Sequence, residues 1–266
     1  MPNLAAKSRR FLELHRPGQP LLLPNPWDQG SAKILASLGF QALATTSSGF
    51  AATLGRPDGT VTLDEALLHA EAIVAATDLP VSADLENCYA DDTEGVAHTV
   101  RLAAETGLAG CSIEDWSGHH LYDRAEAVDR VAAAAAAAGD GGLVLTARAE
   151  NYLHGNPDLA DTVARLQAYQ EAGADVLYAP GLTTIEDIRA VVSSVDRPVN
   201  VLALPGVPPV AELAAAGVGR VSVGGAFAFA ALSALVNAAT ELRDAGTYGF
   251  QSTMAEGRKA TRAAFG

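Results

Sequence analysis

Short apolar runs rich in Val, Leu and Ala alternate along this chain with longer stretches whose apolar residues recur every three to four positions. The first pattern predicts buried strands and the second predicts helices with one face turned inward. Eight runs carry the strand pattern: Leu21 to Leu23, Ala42 to Thr45, Val81 to Asp84, Gly110 to Glu114, Leu143 to Arg148, Val176 to Tyr178, Val199 to Leu202 and Arg220 to Gly224. A strand alternating with a helix from end to end predicts βα units and a parallel sheet. The approaches to the strands alternate as well. The second, fourth, sixth and eighth follow a helix that ends near Gly39, Gly107, Gly173 or Gly217, as a left-handed C-terminal cap requires. The first, third and seventh begin just after Pro20, Pro80 and Pro198, where no ladder donor is needed, and the fifth follows Gly141-Gly142. A closed barrel, whose interior layers draw on odd and even strands in turn, accommodates this two-unit rhythm. An open dinucleotide-binding sheet is disfavoured, because Pro24-Asn25-Pro26-Trp27 stands where its Gly-rich fingerprint would follow the first strand. The expected fold is α/β, a (β/α)8 TIM-type barrel forming one domain over residues 1–266, with 227–266 as a C-terminal helical extension.

At the N-terminus, Phe11, Leu12 and Leu14 at helical spacing predict an amphipathic entry helix, and the apolar core of a targeting signal is lacking. Near the other end, Val221 to Thr240 contains no charged residue and approaches the length of a membrane span. Gly224-Gly225 interrupts it and Ala dominates it, so a strand, a turn and a helix apolar all round are expected. Such a helix needs a cover, and a neighbouring subunit would supply one.

The 266 residues suit one large α/β domain, and a 49% hydrophobic, 18% charged composition gives a sizeable core with no signature of disorder. The net charge of −13 argues against nucleic acid or an anionic membrane as partner, both of which are bound through clustered Lys and Arg. A small anionic substrate then requires a local cation, a metal or a placed Arg. Cys88 and Cys111 are too few for a disulfide framework and suit a reducing, cytoplasmic setting as two buried thiols.

Chemistry in parallel barrels gathers at the carboxyl ends of the strands. Here the third strand ends Ser82-Ala83-Asp84-Leu85-Glu86, the fourth Ser112-Ile113-Glu114-Asp115, and the fifth Thr146-Ala147-Arg148-Ala149-Glu150-Asn151. Alternation predicts that Asp84 and Glu86 point the same way, with Glu114 at the same level on the adjacent strand. Three converging carboxylates raise one another's pKa, and a divalent cation resolves the repulsion. Hard oxygen donors favour Mg²⁺, or Mn²⁺, over Zn²⁺. The plainer alternative is that these acids are solvated or paired with Arg. Arg148 is placed to grip a carboxylate or a developing enolate oxygen, or else to bridge Glu114 or Glu150; both roles are compatible. Thr45-Thr46-Ser47-Ser48-Gly49 offers hydroxyls and N–H groups suited to an oxyanion, although Ser and Gly are also ordinary loop residues.

Several segments taken together resemble one known family. Thr46-Ser47-Ser48-Gly49-Phe50-Ala51-Ala52-Thr53-Leu54-Gly55-Arg56-Pro57-Asp58 and Thr62-Leu63-Asp64-Glu65 are similar to the second-strand region of methylisocitrate lyases and phosphoenolpyruvate mutases. Ala83-Asp84-Leu85-Glu86-Asn87-Cys88-Tyr89 resembles the family's metal-site strand, Ile113-Glu114-Asp115 its next acidic strand, and Ala147-Arg148-Ala149 its arginine strand. Order and spacing match from about Leu22 to Ala226. The resemblance implies that Asp84 binds Mg²⁺ most directly while Asp58, Glu86 and Glu114 hold it through waters, an arrangement natural to that ion. It further implies that Arg148 holds the substrate's carboxylate or enolate side, that Thr46, Ser47, Ser48 and Gly49 bind the oxo acid with Asp84, and that Asn200 belongs to the binding site. Exchange of the last helix within a homodimer or homotetramer is implied too.

The chain departs from the family pattern in places that bear on chemistry. Glu86 stands where many members have Asp. The lyases carry a basic Cys-Gly-His gating loop after the fourth strand, whereas this chain reads Trp116-Ser117-Gly118-His119-His120-Leu121-Tyr122-Asp123, without Cys. The Lys and Asn of the mutase loop are missing, and Gly181 replaces a lyase Glu. His119 or His120 is the candidate replacement acid, since imidazole titrates near neutrality, although an exposed loop His with no such duty is as natural. The expected activity is a Mg²⁺-dependent carbon–carbon lyase acting on a small 2-oxo or hydroxy polycarboxylate through a pyruvate-type enolate, as in methylisocitrate cleavage or oxaloacetate decarboxylation, with Arg148 and Glu114 catalytic. The alternatives are a phosphonopyruvate P–C bond enzyme, mutase or hydrolase, and a barrel that binds 2-oxo acids without turnover.

Overall fold

A computed structural model of the chain describes residues 4–266. Its strands are β1 (Leu21–Leu23), β2 (Leu43–Ala44), β3 (Val81–Asp84), β4 (Gly110–Glu114), β5 (Val144–Arg148), β6 (Val176–Tyr178), β7 (Val199–Leu202) and β8 (Arg220–Ser222). The helices are α1 (Leu4–Glu13), α2 (Gln29–Ser37), α3 (Ser47–Thr53), α4 (Leu63–Ala75), α5 (Thr93–Glu105), α6 (Arg124–Gly141), α7 (Leu159–Glu171), α8 (Ile185–Ser193), α9 (Val210–Ala215), α10 (Ala226–Ala245) and α11 (Gln251–Phe265). All eight strands are parallel, in the order β1-β8-β7-β6-β5-β4-β3-β2. The gap between β1 and β2 is narrowed by Ala44 N–H donating to Pro24 O at 3.1 Å. Buried Asn25 completes the seam: its Nδ2 donates to Thr45 O, and its Oδ1 accepts from Val223 and Gly224 N–H. The result is a nearly closed (β/α)8 barrel.

Local chemistry sets the boundaries. Asp28, Thr62, Asp92, Asp123, Asp158 and Thr184 each accept a backbone N–H at the start of a helix, which uses part of the excess of acids for capping. Gly39, Gly107, Gly173 and Gly217 take positive φ after α2, α5, α7 and α9, the conformation expected of them. The second, fifth and eighth strands are shorter than the sequence pattern suggests. One segment differs in kind: Ser47 and Ser48, read from sequence as part of a loop, open α3 with Thr46 as its cap.

Apolar side chains form two layers. The larger lies between sheet and helices, and a second cluster of Phe11, Leu14, Leu21, Leu23, Ala42, Ala109, Val144 and Val176 fills the lower barrel. Phe11 of α1 is fully buried there, worth roughly 1.5–3 kcal/mol. Gly110 makes the close approach possible, because a Cβ on it would lie 2.7 Å from Val144 O and 3.0 Å from the Phe11 ring.

The strand alternation sends Glu114 into the barrel and its neighbour Asp115 outward. Asp115 is buried and accepts from Glu150 N–H (2.8 Å), Arg165 Nη1 (3.0 Å) and Tyr169 Oη (2.5 Å). Arg165 also donates to Tyr122 O, which fixes the end of the loop leaving β4. This acid therefore joins β4, β5 and α7 behind the site and has no access to it.

At the far end, α10 carries exposed Phe229, Leu235, Val236 and Leu242, and only Ala228 is buried on it. α11 returns to pack on α2 of the same chain, where Phe265 reaches Gly30. No helix among the described residues is long and apolar enough to cross a membrane.

Truncating Asp115 to Ala leaves the buried Tyr169 hydroxyl and Glu150 N–H without their acceptor and Arg165 with Asp161 as its remaining acid, so the variant should lose about 2–4 kcal/mol of stability, whereas Tyr169→Phe should cost closer to 1 kcal/mol. Urea denaturation measures both. A near-neutral Asp115→Ala would show that the acid does not hold the strand ends together.

Candidate active site

Arg148, the last residue of β5, stands at the centre of the barrel mouth. Its Nη1 donates to Asp84 Oδ1 at 2.8 Å, its Nη2 lies 3.2 Å from Glu114 Oε2, and its Nε donates to Glu150 Oε1 at 2.7 Å. The planar fork is thus held at all three nitrogens, with the Tyr178 ring centroid 5.2 Å from Cζ. Burial works against its charge, but Glu150, Glu114 and Asp84 outweigh that and hold it protonated. Of the two roles left open for Arg148, the bridge is present, to both Glu114 and Glu150, and the residue also lines the cavity.

The carboxylates converge by a different route from the one alternation suggests. The register sets Asp84 opposite Ser112, and Glu114 opposite Arg148, so Glu114 sits two positions above the level of Asp84. β3 ends at Asp84, and Glu86 has a left-handed φ of 49°. A turn, not the pleat, brings Glu86 to the cavity, where its backbone O accepts from Glu114 N–H at 2.9 Å. Asp84 also accepts from Ser112 Oγ (3.4 Å) and Ser47 N–H (3.3 Å).

Two connected spaces open around this group. A polar well of about 180 Å³ descends into the barrel and is lined by Thr46, Ser47, Ser48, Asp58, Asp84, Arg148, Asn200 and Arg220 among others. A wider cavity of about 540 Å³ lies above it, lined by Asp58, Glu86, Glu114, Trp116, His119, Arg148, Glu150 and His154. Gly49 is the exception among the expected substrate-binding residues. It is buried beneath the loop, its N–H donates to Thr46 Oγ1, and a Cβ there would meet Thr46, Ala228 and Trp27. Asn200 lies within β7 rather than at its end, and its Nδ2 donates to Ser222 Oγ while Oδ1 has no partner.

The two loop histidines part company. His119 lines the upper cavity, whereas the His120 ring packs edge-on against Tyr122 with Nδ1 3.0 Å from Ser117 Oγ. A third imidazole went unread in the sequence. His154 stacks flat on Trp116, centroids 3.5 Å apart, with Nε2 4.0 Å from Glu150 Oε2. Partial burial, offset by Asp115, lowers its pKa and favours the neutral ring. The available signal was its place six residues beyond Arg148, the polar end of β5.

Glu86 reports the charge balance. Burial first, and then repulsion from Asp84 and Asp58, pushes its carboxyl up to about 7. Burial also raises Glu114 and Glu150, against the pull of Arg148. One guanidinium does not neutralise five acids, and the donors are all hard oxygens, so a divalent cation such as Mg²⁺ fits the set. Among the described residues no three His, Cys, Asp or Glu side chains are arranged to ligate one ion directly. The acids gather on Arg148 instead, and an ion that retains waters suits that spacing better than one needing several direct protein ligands.

A family model for phosphoenolpyruvate phosphomutase matches residues 11–243. The chain belongs to that family. Among relatives of this phosphomutase-family chain, the 2-methylisocitrate lyase of Escherichia coli K12 is 31% identical over 209 residues, covering 71% of this chain and 70% of that one. A provisionally named lyase/mutase of Burkholderia cenocepacia J2315 has a crystal structure that superposes with a TM-score of 0.94 at 51% identity, covering 97% and 96% of the two chains. An oxaloacetate acetylhydrolase solved with its product oxalate superposes with a TM-score of 0.83 at 26% identity, covering 92% and 89%.

Because the folded pKa of Glu86 is raised, its contribution to stability is complete below its ordinary value of 4.5 and is lost as pH rises through about 7. In metal-free protein that loss should reach up to roughly 3 kcal/mol. Denaturation at pH 5 and pH 8 should show a smaller difference in Glu86→Gln. An unchanged difference would mean that burial and the neighbouring Asp84 and Asp58 do not raise the Glu86 carboxyl.

Proposed function

We propose that this chain is a Mg²⁺-dependent carbon–carbon lyase that acts on a small 2-oxo or hydroxy polycarboxylate through a pyruvate-type enolate. The observation that carries the proposal is Arg148, locked by Asp84, Glu114 and Glu150 above a polar well the size of a three- or four-carbon acid. Support comes from relatives named for small polycarboxylates, a 2-methylisocitrate lyase and an oxaloacetate acetylhydrolase solved with its product oxalate.

Asp84 would hold the ion, with Asp58, Glu86 and Glu114 around it. Bound Mg²⁺ would supply positive charge that stabilises a developing enolate oxygen. Arg148 presents its fixed fork to the same oxygen or to the adjacent carboxylate, so little reorganisation is needed when charge develops. Ser48 and Asn200 orient the acid within the well, beside Ser47, whose N–H holds Asp84. In decarboxylation the C–C bond to the departing carboxylate breaks, its electron pair enters the enolate, and CO₂ leaves neutral. The enolate carbon then takes a proton, for which His119 on the upper cavity wall is the candidate donor, while His154, held neutral, is the candidate base for the reverse abstraction. His120, turned to Ser117 and Tyr122, is the weaker candidate. Aldol-type cleavage needs a further proton for the leaving product, and the loop from Trp116 to Asp123 has no Cys to give it.

The chain should therefore decarboxylate oxaloacetate measurably and cleave methylisocitrate slowly. In D₂O with Mg²⁺ it should exchange the methyl protons of pyruvate. His119→Ala with His154→Ala should slow exchange by about 10²- to 10⁴-fold, and Asp84→Ala should abolish Mg²⁺-dependent oxalate binding measured by calorimetry. Oxalate binding without any exchange would favour a barrel that binds 2-oxo acids without turnover, and P–C cleavage in place of both reactions would favour phosphonopyruvate chemistry.

Residues 227–266 form, on this proposal, a helical extension of a single barrel domain that is covered by a second copy of the chain. The exposed Phe229, Leu235 and Val236 on α10 are its basis. Sedimentation should give a dimer or tetramer, and Leu235→Glu with Val236→Glu should shift it toward monomer. A well-behaved monomeric parent would remove the oligomer from the proposal.

A further inference from the structure

Arg148 has three carboxylate partners, while the other arginine of the barrel interior has none. Arg220, the first residue of β8, is 4% exposed, and no acid lies within ion-pair distance of it among the described residues. Its Nη1 donates to His15 Nε2 and Thr146 Oγ1, both at 3.2 Å, and its Nε is buried without a partner. Neither acceptor brings negative charge. Burial, together with Arg220 itself, drives the His15 pKa down to about 3, so the ring is neutral at pH 7. Its Nδ1, 2.8 Å from Phe11 O, carries the proton, which leaves Nε2 as the acceptor. Tyr178 is also neutral, since burial pushes its hydroxyl up to about 12.

An arginine is seldom fully buried unless paired, because removing an uncompensated charge from water costs several kcal/mol. The strain on Arg220 shows in its own titration, which burial, aided by Arg148, lowers to about 10. Thr146, its acceptor, lies two residues before Arg148 on the same face of β5, one barrel layer or about 7 Å below. Both guanidinium groups line the same well of about 180 Å³. Asn200 also lines that well, and its buried Oδ1 has no partner.

We propose that the floor of the well is an anion subsite, in which Arg220 takes a small carboxylate one layer below the group held at Arg148. The carboxylate is either the distal end of a four-carbon diacid substrate or a separate small anion that binds alongside a monocarboxylate. The diacid assignment rests on the enolate chemistry proposed above, while the subsite itself rests on the missing counter-charge. Arg220 is thereby a specificity-determining residue that selects for a second negative charge.

Calorimetry with Mg²⁺ on the full chain separates these cases, using malate and 2-hydroxybutyrate, which share a four-carbon chain and 2-hydroxyl and differ in the distal carboxylate. The parent should bind malate about 10- to 100-fold more tightly, as a charge-assisted hydrogen bond allows, and Arg220→Met should erase the preference while leaving 2-hydroxybutyrate affinity within about twofold. Arg220→Lys, which keeps the charge and loses the fork, should keep part of the preference and provides the test if the Met variant does not fold. If the parent shows no malate preference but binds 2-hydroxybutyrate more tightly as formate is added, and Arg220→Met does not, the subsite takes a separate anion. A malate preference that survives in Arg220→Met, or a parent indifferent to both malate and formate, overturns the proposal. Failure of the enolate chemistry reads differently: oxalate would not bind with Mg²⁺, yet formate at constant ionic strength would still raise the melting temperature of the metal-free parent and not that of Arg220→Met.

Discussion

The guanidinium of Arg148 is the group around which this barrel mouth is organised. Three strand ends deliver carboxylates to it, and each meets a different nitrogen of one rigid plane. That geometry does more than neutralise charge. It ties β3, β4 and β5 together at their carboxyl ends and fixes a positive group in a direction that no flexible Lys would hold. The same acids, being more numerous than their partner, leave a surplus of negative charge that a hard cation would satisfy.

Support for this arrangement comes from residues that never reach the cavity. Asp115 faces away from it and gathers Glu150 N–H, Arg165 and Tyr169 behind the sheet, so the backbone that presents Glu114 and Glu150 is held from both sides. Asn25 does the same work at the β1/β2 seam, where strand pairing is thinnest. A rigid frame matters because small displacements of a charged group cost catalysis far more than they cost stability.

Charge is partitioned vertically inside the barrel. The mouth is rich in acids, the floor holds a solitary buried arginine, and an apolar plug around Phe11 closes the lower end. An anion entering from above meets Arg148 first and finds a second positive group beneath it. The overall charge of −13 therefore does not describe the floor of the well, where Arg220 has no acid within ion-pair distance among the described residues.

Much of this was legible in the sequence, because strand period, Pro entries and Gly exits are local chemistry, and because parallel barrels place their polar residues at strand ends. Those regularities, with the family resemblance, marked Asp84, Glu114 and Arg148 before any coordinates. Other features depended on register and on chain reversals that local patterns do not encode. Glu86 reaches the cavity through a left-handed turn, Glu114 aligns with Arg148 instead of Asp84, and Ser47 opens a helix. His120 turns aside while His154, from a different loop, stacks on Trp116. Arg220 is the clearest case. In the sequence it is one Arg at the start of a strand, equally ready for a salt bridge or for solvent, and only closure of the eight strands puts it inside the barrel with no carboxylate in reach. Which charges meet is a property of three-dimensional distance, and a chain that specifies its own turns does not thereby announce its neighbours.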